Sequence, residues 1–354
     1  METPGEHAAC LASHKCFPPQ AGPAASPLGR MSHLRVPRFG NLVAKMTNCR
    51  PRHRDAALQQ KPGAEIVVSG ICTEGVDTGF VALGYAKVAL LGVVQGITEL
   101  LPVSSTAHMR LVPALLGWQD PGSAFSAAMQ LAALVAVVTY FWADVRDIAQ
   151  GSTQAVLRRD WRSPALRLAL GIVIATIPIV IAGVLLGPVL NSCGTPLRSL
   201  PVIGGACLVM GGLLALAEIL ARHKRRVEEM GLIDALLVGV AQVGALIPGV
   251  SRSGSTLTAA LFLDLKRDQA ARFSFLIGIP AIFLAGAKEL FTLFHAHIPG
   301  EAWSVLAVGL VVGSLSSFAA LWGLMRFLER FSTWPFVVYR ILLGVGLLAL
   351  AVLG

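Results

Sequence analysis

Charge is what this chain has least of. Of its 354 residues, 14% are Asp, Glu, Lys or Arg, against about 25% in a typical soluble domain. Hydrophobic residues make up 55% and the mean hydropathy is +0.68, more apolar surface than a soluble protein of this size can bury. The composition excludes a disordered chain and most soluble enzymes. Paired cysteines are missing as well. Cys10, Cys16, Cys49, Cys72, Cys193 and Cys207 include no CxxC pair, so they read as free thiols, not as a metal site or a disulfide frame. Short alternating segments of about ten residues, the mark of barrel strands, are absent too. What remains is an all-α polytopic membrane protein.

The formal net charge of +9 does not point to nucleic acid. Residues 1–80 carry +3 and the remainder +6, and the second set lies mostly in short loops between apolar runs. Residues 1–79 are rich in Pro, Gly, His and Arg and have no sustained periodicity, nor an apolar signal-peptide core near Met1. They read as a disordered extension. The alternative is that translation starts internally, at Met31 or Met46.

From Phe80 onward, six runs reach the roughly 20 residues needed to span a bilayer: Ser123–Trp142, Ala165–Leu190, Leu200–Ala221, Phe273–Phe294, Ala302–Met325 and Phe336–Leu353. Two further regions are interrupted. Phe80–Trp118 is broken at Pro102–Thr106, and Leu232–Leu263 at Pro248–Ser255. Each half of these is too short to cross comfortably, and each break carries polar residues that lipid would not tolerate. Re-entrant helix pairs fit both facts. Loops 143–164, 222–231, 264–272 and 326–335 hold 13 Lys/Arg, whereas 118–122, 191–199 and 295–301 hold only Arg198. The first set is therefore expected in the cytoplasm. The first broken pair then enters from outside and the second from the cytoplasm, which makes residues 222–354 an inverted copy of residues 80–221. Gly92-Val-Val-Gln95 matches Gly239-Val-Ala-Gln242, and Val103-Ser104 matches Val250-Ser251, at one offset of 147. Such a repeat brings both breaks to one site near mid-membrane. The basic N-terminal segment falls outside in this topology, against the positive-inside preference, which weakens for long segments.

The first break reads Gln95-Gly-Ile-Thr-Glu99-Leu-Leu-Pro-Val-Ser104-Ser105-Thr106-Ala-His108. Gln95 and Glu99 share a helix face. A carboxylate within a span costs about 2.5–3.5 kcal/mol, so Glu99 is read as a metal ligand or general base; the plainer alternative is an ion pair with an arginine. Ser104, Ser105 and Thr106 offer hydroxyls, either for chemistry or simply to cap a helix. The second break, Pro248-Gly249-Val250-Ser251-Arg252-Ser253-Gly254-Ser255-Thr256, has the makings of a phosphate cradle. A helix starting there directs N–H groups and its positive dipole end at the site, and Arg252 suits bidentate phosphate binding. It is not a Walker loop, because no GxxxxGK[ST] is present. Lys87, Arg110, Glu218, Asp234, Lys288, Glu289 and Arg340 lie near run ends and are expected to snorkel; His295 and His297 read as solvated. Trp118, Trp142, Trp303 and Trp334 fall near expected interfaces. One site with a carboxylate, hydroxyls, an imidazole, an arginine and a helix N-terminus suits phosphoryl chemistry on a membrane-resident substrate. Glu99, with or without Gln95, is a candidate ligand for Mg²⁺ or Ca²⁺.

At these residues the chain resembles the undecaprenyl-diphosphate phosphatase, or bacitracin-resistance, family. The motifs are GVVQGITELLPVSSTAH from Gly92 and PGVSRSGST from Pro248, and the resemblance runs from Val81 to the C-terminus. It implies removal of the terminal phosphate of undecaprenyl diphosphate at the outer face of the bacterial cytoplasmic membrane, recycling the carrier for peptidoglycan synthesis. It also implies an [E/Q]xxxE motif at Gln95 and Glu99 with dependence on Mg²⁺ or Ca²⁺, a key hydroxyl at Ser105, a functional His108, a phosphate-binding Arg252, an inverted-repeat fold and a homodimer. Ser104, Thr106, Ser251, Ser253, Gly254 and Ser255 are the further phosphate-binding candidates. Gln95 leaves one carboxylate fewer than a two-carboxylate metal site, and Ala107 stands where the family more often has Gly. Ser105 is preferred as nucleophile over His108. Two rival readings are a polyprenyl-phosphate flippase or secondary transporter using the same site, and a two-histidine lipid phosphatase. The latter expects a second His after Ser251-Arg252, where none occurs before His295.

Overall fold

The structure is a computed structural model, described here for residues 79–190, 197, 199–295 and 298–353. The expectations for residues 1–78 and His297 lie outside the described residues. Every extended element is helical: α1 Gly79–Leu100, α2 Ser105–Leu115, α3 Ser123–Ala128, α4 Gln130–Tyr140, α5 Trp142–Leu157, α6 Pro164–Leu190, α7 Leu200–Leu220, α8 Leu232–Val243, α9 Arg252–Phe262, α10 Arg267–His295, α11 Gly300–Arg330 and α12 Trp334–Leu353. Six of them are long and apolar enough to cross a membrane, or seven if the bent α3–α5 segment counts as one span. The chain is a multi-pass membrane protein.

Both breaks fall where the sequence places them. Pro102 cannot continue α1, and Ser104 turns the chain with φ 72° before α2 starts. Ser251, 147 residues later, has the same φ of 72° and precedes α9. A non-glycine residue held there costs about 1–3 kcal/mol, and such strain collects at functional sites. α2, α8 and α9 are short, at 11, 12 and 11 residues. α1 differs from expectation: at 22 residues it is long enough to span by length and composition, although Gly84 (φ 71°) kinks it and divides off its first turn.

The expected span Ser123–Trp142 is helical over Phe125–Tyr140 and ends in a bend. Phe125–Tyr140 and Trp142–Leu157 meet at 74°, and α5 occupies what was expected to be loop. Only Ala155 of α5 is buried, and its polar residues hid it from a search for apolar runs. The four Lys/Arg-rich connections gather at one end of the helices. Arg272 pairs with Asp144 and, at 3.3 Å, with Glu228. Arg225 reaches Asp234 at 2.6 Å and the Leu263 carbonyl at 3.1 Å. Glu218 accepts from Arg267 at 2.8 Å and from Thr333 at 2.8 Å. Glu218 and Asp234 therefore do not snorkel: they join separate connections.

Helix directions follow from close approaches. A Cβ on Gly92 would lie 2.8 Å from the Gly309 carbonyl, and one on Gly96 2.5 Å from that of Gly313, so α1 and α11 run parallel. Gly171 abuts Ala235 and Gly239 abuts Ala175, so α6 and α8 also run parallel. Along α7 and α12 the order reverses, Gly204 meeting Leu348 and Gly211 meeting Ile341. These seams depend on a missing side chain. Gly96→Ala is expected to lower stability by about 1–3 kcal/mol, as overpacking does. Gly183→Ala, where the added carbon meets nothing within 4 Å, should leave it unchanged; thermal unfolding in detergent measures both.

Candidate active site

Glu99 is the centre of the polar cluster. It is buried one position before the end of α1, and its Oε2 accepts from Gln95 Nε2 at 3.0 Å and from Ser105 Oγ at 2.6 Å. The first contact is the i, i+4 pair expected on one helix face; the second closes the break. Arg252, the first residue of α9, brings its guanidinium to 3.6 Å from Glu99 Oε1. Nε and both terminal nitrogens of Arg252 are buried and make no hydrogen bond. Gly278 leaves the space in which that guanidinium lies, since a Cβ there would overlap its terminal nitrogen. A buried cation beside a single carboxylate, with all its donors unspent, is set up to receive an anion.

The hydroxyls of the second break also bond within the protein. Ser251 Oγ accepts from the Gly254 N–H at 3.2 Å, capping α9. Ser253 Oγ lies 3.2 Å from the Glu99 carbonyl and 3.1 Å from that of Leu101, tying the two breaks together. Ser255 Oγ donates to the Arg252 carbonyl at 3.0 Å. Ser104 Oγ is buried with no partner, while Thr106 is exposed. The structure thus brings Gln95, Glu99, Ser105, Arg252 and Ser253 together, and leaves Thr106 outside this network.

His108, one turn after Ser105, is buried. Its Nδ1 lies 2.7 Å from the Ser104 carbonyl and its Nε2 2.5 Å from the Tyr339 hydroxyl, with the two rings stacked at 5.6 Å.

The next residue, Arg340, corrects the sequence reading. Expected to snorkel, it is 0% exposed. It donates to the Pro102 carbonyl at 3.1 Å and to those of Gly249 and Val250 at 2.9 Å. One side chain thereby binds carbonyls of both breaks. Its place seven residues into an apolar helix, about 10 Å from the start at 1.5 Å per residue, was the signal in the sequence that snorkelling did not suffice.

Among the described residues no group of three or more His, Cys, Asp or Glu could hold a metal ion. Glu99 and the Gln95 amide oxygen still fit one side of a Mg²⁺ or Ca²⁺ shell, because such ions are commonly held by one or two carboxylates together with substrate phosphates.

The fold is that of a multi-pass membrane protein with two interrupted helix pairs, and a buried arginine with unspent donors and a carboxylate-bound serine meet at the breaks. The family described as Bacitracin resistance protein BacA matches residues 88–346, and the chain belongs to it. It is 71% identical over 254 residues to Undecaprenyl-diphosphatase 2 of Mesorhizobium japonicum, covering 72% of this chain and 96% of that protein. It is 52% identical over 256 residues to Undecaprenyl-diphosphatase of Synechococcus elongatus, covering 72% and 89%. With that of Gloeobacter violaceus it shares 49% over 272 residues, covering 77% and 93%.

Replacing Arg340 by Met keeps much of its volume and strands three buried carbonyls. At roughly 1–3 kcal/mol for an unsatisfied buried group, the variant is expected to lose at least about 3 kcal/mol of stability, measured by thermal unfolding in detergent beside Arg340→Lys, which should recover part of it.

Proposed function

We propose that this chain is an integral-membrane phosphatase that hydrolyses undecaprenyl diphosphate to undecaprenyl phosphate and inorganic phosphate, recycling the lipid carrier for peptidoglycan synthesis and lowering sensitivity to bacitracin. The observation that carries the reading is the convergence on Glu99 of a serine hydroxyl at 2.6 Å and a buried guanidinium with unspent donors at 3.6 Å. Family membership and the names of the relatives support the same substrate.

In this mechanism Ser105 Oγ gives its proton to Glu99 and bonds to the terminal phosphorus. The anhydride P–O bond breaks, and its electron pair leaves on the bridging oxygen of undecaprenyl phosphate. Arg252 and the positive N-terminal ends of α2 and α9 hold the charge on the phosphoryl oxygens. Water then attacks the phosphoserine, Oγ recovers the proton from Glu99, and inorganic phosphate departs. Ser105 is favoured over His108 as nucleophile because both ring nitrogens of His108 are already engaged. A divalent cation held by Glu99, Gln95 and the diphosphate would supply charge neutralisation at the phosphates.

The fold of this reading is an inverted repeat, residues 80–221 and 222–354, each with a re-entrant broken pair. Three features support it: the parallel pairs α1 with α11 and α8 with α6, the antiparallel pair of the equivalent helices α7 and α12, and the matching φ of Ser104 and Ser251. In the cytoplasmic membrane, with the Lys/Arg-rich end inside, the first pair opens outward.

Phosphate release from undecaprenyl or farnesyl diphosphate by purified protein, with Mg²⁺, Ca²⁺ or EDTA, tests the function. Metal-dependent release is expected, and Ser105→Ala and Arg252→Ala should each reduce turnover about 10²-fold or more. No release from folded wild-type protein would favour a flippase using the same site. An acid-labile, base-stable phosphoenzyme would indicate phosphohistidine and remove Ser105 as nucleophile.

A further inference from the structure

His108 has no free nitrogen. The Ser104 carbonyl can only accept, so the proton of the neutral imidazole is on Nδ1, 2.7 Å away. The lone pair is then on Nε2, and the group 2.5 Å from it is the Tyr339 hydroxyl, which donates. His108 is 7% exposed, whereas Tyr339, contributed by α12 more than 200 residues later, is 43% exposed. Carbonyl, imidazole and hydroxyl form a chain in which each member orients the next, the arrangement by which a buried base activates a hydroxyl in front of it. Arg340, the next residue along α12, keeps that helix in register with both breaks.

We propose that Tyr339 is the proton-transferring residue of the site and that His108 is the buried base behind it. The proposal deepens the phosphatase reading and rests on it. As water attacks the phosphorus of phosphoserine, its proton passes to the phenol oxygen while the phenol proton passes to His108 Nε2. The new P–O bond forms, the bond from phosphorus to Ser105 Oγ breaks, and Oγ takes its proton from Glu99. The imidazolium, steadied by the Ser104 carbonyl, returns its proton through Tyr339 to the departing phosphate, leaving every group as it began. The phenol, not the imidazole, meets the reacting water.

The test uses full-length protein in detergent. Tyr339→Phe removes one oxygen and keeps the ring stack. Turnover should fall at least tenfold, within the range of lost general acid–base catalysis, with KM changed less than threefold and the unfolding temperature unchanged. His108→Gln should lose as much, and the double variant no more than either alone, as expected of groups acting as a unit. Wild-type turnover in Tyr339→Phe, or losses that multiply in the double variant, would overturn the proposal. Nitrogen-15 NMR of labelled histidine, with His108 assigned from His108→Gln, gives a readout independent of hydrolysis. Protonated Nδ1 with a hydrogen-bonded bare Nε2 is expected, the latter shifting in Tyr339→Phe; a proton on Nε2 instead would also overturn it. Wild-type protein that releases no phosphate sinks the phosphatase reading alone, and the nitrogen signature then decides whether the pair exists.

Discussion

A helix broken within a membrane leaves carbonyls that lipid cannot solvate, and the rest of this structure depends on how they are satisfied. Arg340 does this for Pro102, Gly249 and Val250 together. A charge taken out of water is costly, and here carbonyl oxygens, not a carboxylate, receive all of its bonds. Breaking the helices frees the groups proposed to bind substrate, and the buried guanidinium keeps those breaks from being simple defects. Ser253 adds a second tie, from one break to the Glu99 and Leu101 carbonyls of the other.

Around that post the charges are graded. Glu99 offsets Arg252 only partly, at 3.6 Å, and nothing acidic among the hydrogen-bond partners offsets Arg340. Two helix N-terminal ends add to the positive side. The cluster therefore favours a multiply charged anion, and a diphosphate suits it better than a neutral headgroup. The single carboxylate doubles as the hydrogen-bond partner of Ser105, so in the proposed mechanism charge balance and nucleophile activation depend on one residue.

Much of this was legible from the residue order. Glu99, Ser105 and Arg252 announce themselves because polar groups interrupting apolar runs need a reason. The breaks were placed by Pro102 and Pro248, and the spans by hydropathy. What was missed had no such contrast. Tyr339 has no charge to draw notice, the depth of Arg340 in its apolar helix was a weaker signal than a break, and the partners of both are more than 85 residues away in sequence. The α5 helix escaped because its face is polar, and the independence of α1 because Pro102 drew attention to the break and away from the 22 residues before it. The hydroxyls of Ser251 and Ser255, read from composition as ligands, each also bond to the backbone of α9.

The seam between α1 and α11 carries a consequence for the order in which the molecule comes together. Gly92 leaves the ribosome more than 200 residues before Gly309, and Pro102 and Gly249 both precede Arg340. During synthesis the first broken helix must wait, its Pro102 carbonyl unbound and its glycine face uncovered, until α11 and α12 have been made. Contacts so distant in sequence close slowly. The cluster around Glu99 is thus completed late, when α12 brings Arg340 to both breaks.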